Sequence, residues 1–227
     1  PIKIITKAEL YEKGLNAMSV SRLTKKGFLG NLGYGFYIEK PNNMKFENDE
    51  VMSKINSLLD DFPLTPNRVV FSSTFLNFCI NQLISGTTYV VEVEREYLQS
   101  VFELLKESHK GVVLLKPDRE DKINYWKPDA IYVTELFKRS PINKDGTMTI
   151  EKLIVDLLFD EEIYSLYSGE DIDSAIDVLC SKYTINYKTL FSYATRKNRK
   201  GRLMERIRGF VPKVILEAAE RDSTTFL

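Results

Sequence analysis

The chain has 227 residues, 43% of them apolar and 11% aromatic, which is enough for one large or two modest hydrophobic cores and excludes a disordered or fibrous polypeptide. Its 32 cations balance its 32 anions, but unevenly. Residues 1–45 carry eight Lys and Arg against three Glu, residues 191–213 eight against Glu205 alone, and residues 46–190 fifteen against twenty-five. Affinity for nucleic acid follows local cation density, so overall neutrality does not exclude such a partner; it predicts a weak, salt-sensitive non-specific component.

Thr6-Lys7-Ala8-Glu9 has the Thr-x-x-Glu form of a capping box, predicting a helix from Lys7 to about Lys13 that ends at Gly14. Asn16 to Glu39 then carries the strongest pattern in the chain. From Ser19, Val20 and Leu23 fall at helical spacing, leaving Ser19, Ser21, Arg22, Lys25 and Lys26 on the other side. After Gly27, the runs Phe28-Leu29 and Phe36-Tyr37-Ile38 read as two short strands joined across Gly30, Gly33 and Gly35, residues able to adopt positive φ in a tight hairpin. Two helices followed by a hairpin spell a winged helix-turn-helix, with Ser and Arg near the start of the second helix suited to base edges in the major groove. Such modules also serve as protein-interaction domains. Only residues 1–5 precede the pair, so the motif is short at its start.

Lys40 to Asn67 is polar and marked by Pro41, Pro63 and Pro66, a connector with one helix expected over Asn48 to Leu59. From Val69 the period alternates. Strands are expected at Val69–Phe71, Tyr89–Val93, Val112–Leu115 and Ala130–Val133, and helices at Phe75–Ile84 and Tyr97–Ser108, which together make a small, largely parallel sheet covered by helices. Beyond Thr149 the chain reads as helical. Ile150, Leu153, Ile154, Leu157 and Leu158 form one face, Ile172, Ala175, Ile176 and Leu179 a second, and Leu190, Phe191 and Ala194 a third, capped by Asn186. The third helix runs into Arg196, Lys197, Arg199, Lys200 and Arg202, where Gly201 is expected to break it, before a last stretch interrupted at Gly209 to Pro212. The fold class is therefore mixed α/β. Its expected parts are a winged helix-turn-helix (1–45), a connector (46–67), an α/β sheet subdomain (68–148) and a helical subdomain (149–227).

Cys79 and Cys180 lie in apolar helical patterns without neighbouring thiols or His, so they read as buried thiols and not as a disulfide or metal site. His109, the only histidine, falls at a helix end among charges and reads as a surface residue. No apolar run approaches the length needed to cross a bilayer, and the start lacks a signal-peptide core, which points to a cytoplasmic protein. No dinucleotide, P-loop or nucleophile-elbow signature occurs, so no catalytic residue, cofactor or metal is assigned. The alternative enzyme reading is a Mg-dependent, nuclease-like site built from Glu92, Glu94, Asp118, Asp129 and Glu135. Asp129, Glu135 and Lys138 echo a restriction-type pattern, but with the lysine one residue too far from the acid.

Thr6–Glu39, Val70–Asn77, Val91–Glu94, Ile150–Leu157 and Lys182–Asn186, with Leu190 and Tyr193–Lys197, together resemble the AbiEi-type antitoxins, transcriptional regulators of type IV toxin-antitoxin systems active in abortive phage infection. The resemblance implies an amino-terminal winged helix, binding to double-stranded DNA of the protein's own promoter, repression of the operon, and opposition to a nucleotidyltransferase-like toxin without a stable complex. It places DNA contacts at Ser19, Ser21, Arg22, Lys25, Lys26 and the wing around Tyr34. The basic run Arg196 to Arg202 reads as a second phosphate-contacting patch, a docking face for the acidic middle of this or another molecule, or an exposed helix end.

Overall fold

The computed structural model describes residues 3–46, 48–60, 67–77, 79, 86–125, 127–143, 145–160, 167 and 169–224. The chain begins with β1 (Ile4–Thr6), α1 (Lys7–Glu12), α2 (Ala17–Lys25), β2 (Leu29–Gly33), β3 (Phe36–Glu39) and α3 (Glu50–Asp60). There follow β4 (Arg68–Ser72), β5 (Thr88–Val93), α4 (Leu98–Ser108), β6 (Val113–Leu115), α5 (Arg119–Tyr125) and β7 (Ala130–Glu135). Helices α6 (Ile150–Phe159), α7 (Gly169–Lys182), α8 (Tyr187–Arg196), α9 (Lys200–Ile207) and α10 (Lys213–Thr224) complete it. The protein is thus mixed α/β with a helical carboxyl-terminal region.

These elements form two compact units, Lys45–Ala175 and a discontinuous one made of Pro1–Met44 with Ile176–Leu227. The division differs from the four consecutive segments that the sequence suggests. The connector's α3 is a layer of the Lys45–Ala175 unit, because Met52, Ile55 and Leu59 are buried in its core. The carboxyl-terminal helices are not one body, since α8, α9 and α10 close on the amino-terminal segment.

In the discontinuous unit, Thr6 caps α1 as its spacing predicts: its hydroxyl accepts from the Glu9 amide at 3.1 Å, while its own amide donates to Glu9 Oε2 at 2.7 Å. The Thr6 amide, joined by the Thr6 hydroxyl donating to the same oxygen at 2.8 Å, holds the Glu9 carboxyl below its ordinary range. Strands β1, β3 and β2 form an antiparallel sheet in that order. Ile5, Leu10, Val20 and Leu29 make its small core, joined by Leu15, Leu23 and Tyr37. The hairpin turns over Tyr34 and Gly35, with φ of 52° and 82°, a two-residue reversal suited to the twist of the strands.

What closes the chain ends on each other is close approach of backbone. A Cβ on Gly30 would lie 2.7 Å from Pro41 Cβ and 2.9 Å from Thr184 Cγ2, and one on Gly33 would lie 2.6 Å from the Lys188 amide nitrogen. Gly30 therefore serves packing and not a turn, since only Gly33 and Gly35 of the three take positive φ. Asn42 completes the seam: its amide donates to Thr184 Oγ1 at 3.0 Å, its side-chain nitrogen to the Lys182 carbonyl at 2.7 Å, and its carbonyl accepts from the Thr184 amide at 2.8 Å.

The Lys45–Ala175 unit holds a four-stranded sheet ordered β4-β5-β7-β6, with β5, β7 and β6 parallel and β4 antiparallel to β5. Alternation along the strands sends Val70, Tyr89, Val91, Val93, Ile131 and Val133 into one core, covered by Leu98, Val101 and Leu105 of α4 and by α3. Glu92 faces the other way and meets α6. That helix is not the one-sided amphipath its sequence suggests, because every residue from Ile150 to Leu157 is buried, Lys152 and Asp156 included. The helix expected over Phe75 to Ile84 falls largely outside the described residues, although Ser73–Leu76 forms a 3-10 turn. Helix α5 was not legible in the sequence. Gly201 lies inside α9; the break comes earlier, at Lys197 and Asn198, the latter at φ 60°.

Both cysteines are buried, and burial pushes the Cys180 thiol up to about 12. A thiolate-trapping reagent is expected to label neither in the native protein at neutral pH and both after denaturation. Stoichiometric native labelling, counted by mass, would contradict that placement.

Candidate nucleic-acid interface

The two units divide the charge. The discontinuous unit holds eighteen Lys and Arg against eight Asp and Glu, an excess of ten cations; the Lys45–Ala175 unit holds fourteen against twenty-four, an equal excess of anions. Both basic ends of the sequence thus belong to one body.

Within it, α2 starts at Asn16, whose side-chain oxygen accepts from the Ser19 amide at 2.9 Å. Val20 is buried and Leu23 half-buried toward the core. The opposite face presents Ser21, Arg22, Lys25 and Lys26, all exposed, and among the described residues none of the three cations is engaged in an ion pair. Ser19 is half-buried on the flank and is not part of this face. Met18, 72% exposed, lies at its centre, one turn before Ser21 and Arg22 and two before Lys25. The sequence reading did not single it out, although the 3.6-residue period sets it opposite Val20 and Leu23. Ser21 and Lys25 also border a cleft of about 370 Å³ whose other walls include Lys7, Tyr11, Asn31 and Tyr37.

The hairpin tip is placed differently from expectation. Tyr34 is half-buried with the Lys188 ammonium 5.8 Å from its ring centroid, and burial, with Asp222 adding to it, pushes its hydroxyl up to about 12. The tip is held by the chain's own helices, because Gly33 lets the backbone of α8 come against it. Tyr34 is therefore a half-buried part of the tip and not a freely projecting side chain.

The run Arg196 to Arg202 forms the corner between α8 and α9. Arg196, Arg199 and Arg202 are exposed, whereas Lys197 and Lys200 are half-buried. Arg196 and Lys197 both turn over the Tyr193 ring, at 5.7 and 5.3 Å from its centroid, so part of this charge is spent inside the corner.

Of the carboxylates of the enzyme reading, Glu94 and Glu135 share one cleft and the others lie apart from it. Glu92 is buried beside Lys152, whose ammonium donates to its Oε1 at 3.0 Å and also pairs with Asp156. Glu94 accepts from Asn67 at 2.8 Å, Asp118 exchanges bonds with Asp121 at the start of α5, and Asp129 and Glu135 lie at opposite ends of β7, the latter paired with Lys116 at 3.1 Å. Among the described residues no group of three His, Cys, Asp or Glu is placed to hold a metal ion. A cleft of about 550 Å³ does open at the carboxyl ends of β5 and β7, where parallel sheets receive ligands, with Glu94, Arg95, Glu135, Lys138 and Arg139 around it. No helix among the described residues is long and apolar enough to cross a membrane.

A cationic helix-and-hairpin unit interrupted by an acidic α/β unit is the class of protein that these features define. The chain belongs to DUF6577, a family of unknown function, whose model matches residues 16–212. No curated protein matches it.

Proposed function

We propose that this protein is a non-enzymatic, cytoplasmic regulator that binds double-stranded promoter DNA through α2, acting as its AbiEi-type resemblance implies: an autoregulating repressor that opposes a nucleotidyltransferase-like toxin. The observation that carries this reading is the outer face of α2, where Arg22, Lys25 and Lys26 stand exposed beside Ser21 in a unit with ten excess cations. Strand, helix, helix and hairpin follow in the order of a winged helix-turn-helix, with β3 lying between β1 and β2. In that motif the second helix enters the major groove. Here the hairpin braces α8, so Arg196, Arg199 and Arg202 are better placed than Tyr34 for auxiliary phosphate contacts.

The test is a gel shift of the full chain on DNA from upstream of its own gene, across a salt series. Arg22→Ala with Lys25→Ala is expected to lower affinity by roughly tenfold or more and to reduce the salt slope by about two. Binding that is indifferent to salt and to both substitutions would refute the reading. An adjacent reading frame of nucleotidyltransferase type would support the toxin-antitoxin part of it.

A further inference from the structure

Resting on that DNA-binding reading, we infer that the first turn of α2 recognises the 5-methyl groups of thymine, with Met18 as the specificity-determining contact and Ala17 beside it. Met18 is the most exposed large apolar side chain among the described residues. Charge alone does not account for it. Phosphate contact is served by Arg22, Lys25 and Lys26, and a methionine at the centre of their face adds nothing to it. Desolvation of Met18 requires an apolar partner inside a surface that is otherwise cationic and polar.

In the major groove of duplex DNA the apolar group offered by a base edge is the thymine methyl. Recognition helices reach bases with their amino-terminal residues, and Ala17 and Met18 are the first two residues of α2. Ser21 and Arg22 follow on the same face one turn later, where a hydroxyl and a guanidinium suit neighbouring polar edges, guanine above all for the arginine. The unbranched thioether adapts its rotamer to a methyl at slightly different depths. The target is thus a duplex with thymine beside a guanine-containing step. The excess of ten cations in the unit selects a polyanion over a protein groove as the occupant of this apolar spot.

The experiment enriches binding sequences for the full chain from a random duplex library, then replaces each thymine of the enriched site by deoxyuridine, which removes the methyl and nothing else. At one or two positions the wild-type protein is expected to lose about fourfold in affinity per methyl. Met18→Gln is expected to bind thymine and deoxyuridine duplexes equally, while Arg22→Ala lowers affinity for both and keeps their ratio. Unchanged affinity at every deoxyuridine position, or full discrimination retained by Met18→Gln, overturns the inference and leaves DNA binding standing. Failure to enrich any duplex, with no salt-sensitive binding, overturns the DNA-binding reading itself. The site is at the surface, so an unchanged unfolding midpoint for Met18→Gln separates recognition from folding.

Discussion

Replacing Lys152 by methionine is expected to lower the unfolding free energy by about 3–5 kcal/mol, because it removes the cation with which two buried carboxylates pair. Lys152 is 1% exposed, Glu92 2% and Asp156 0%, and the ammonium is the group that bridges the other two. Methionine matches the length and apolar stem of lysine, so the cost reports the lost charge and not a cavity. Glu92→Gln is the contrasting case. It keeps the Lys152–Asp156 pair and removes one anion from a site with two, and is expected to cost far less. Hydrogen exchange at the amides of β5, β7 and α6, followed in a urea series, reads this unit directly. A Lys152→Met protein as stable as wild type would sink the argument.

The same cluster sets a pH dependence. Burial pushes the Glu92 carboxyl above its ordinary range, and Asp156 adds to this against the downward pull of Lys152. The folded state therefore holds the Glu92 proton more tightly than the unfolded state does. This contribution to stability is complete below the ordinary carboxylate value and is lost as pH rises through the folded one. Glu92→Gln is expected to flatten that decline, measured as urea midpoints over a pH series.

The second large effect is expected at Gly33. Its φ is 87°, and a Cβ there would lie 2.6 Å from the Lys188 nitrogen and 3.0 Å from Asn186 Oδ1, the oxygen that caps α8 by accepting from the Thr189 amide. Gly33→Val adds backbone strain to a steric collision with main chain, a loss on the order of 3 kcal/mol or more from the discontinuous unit. Hydrogen exchange should rise across β2, β3 and α8 more than across β5 and β7. Protection of α8 equal to wild type would show that the chain ends do not close through this contact.

Local chemistry was legible from the sequence, and distant contact was not. Thr6 with Glu9, Asn186 before α8, and the pair Gly33 and Gly35 each announce themselves within a few residues, since caps and tight turns are made by neighbours. The seam of Asn42 with Lys182 and Thr184 has no such signature; its partners are separated by 140 and 142 positions. Helix α6 misled for a related reason. Its Lys152 and Asp156 look like a solvated face until Glu92, sixty residues earlier, is seen opposite them. Helix α5 is short, and its buried Lys122 breaks the apolar period that would have revealed it. On α2 the inward stripe and the cations were readable, whereas the half-burial of Ser19 on the flank and of Tyr34 against α8 depends on packing that the local sequence does not announce.

Because one body is assembled from residues 1–44 and 176–227, with a whole unit between them in sequence, its two parts are not synthesised together. The hairpin leaves the ribosome before residues 45–175 and must then wait for α8 to emerge, on the order of ten seconds at ~5–20 residues per second. Throughout that interval the intervening unit has the chance to fold alone. A nascent chain stalled or cut before Ile176 would keep the acidic body while the hairpin lacked the helix it packs against, so the cationic body is completed only after the acidic one has been made.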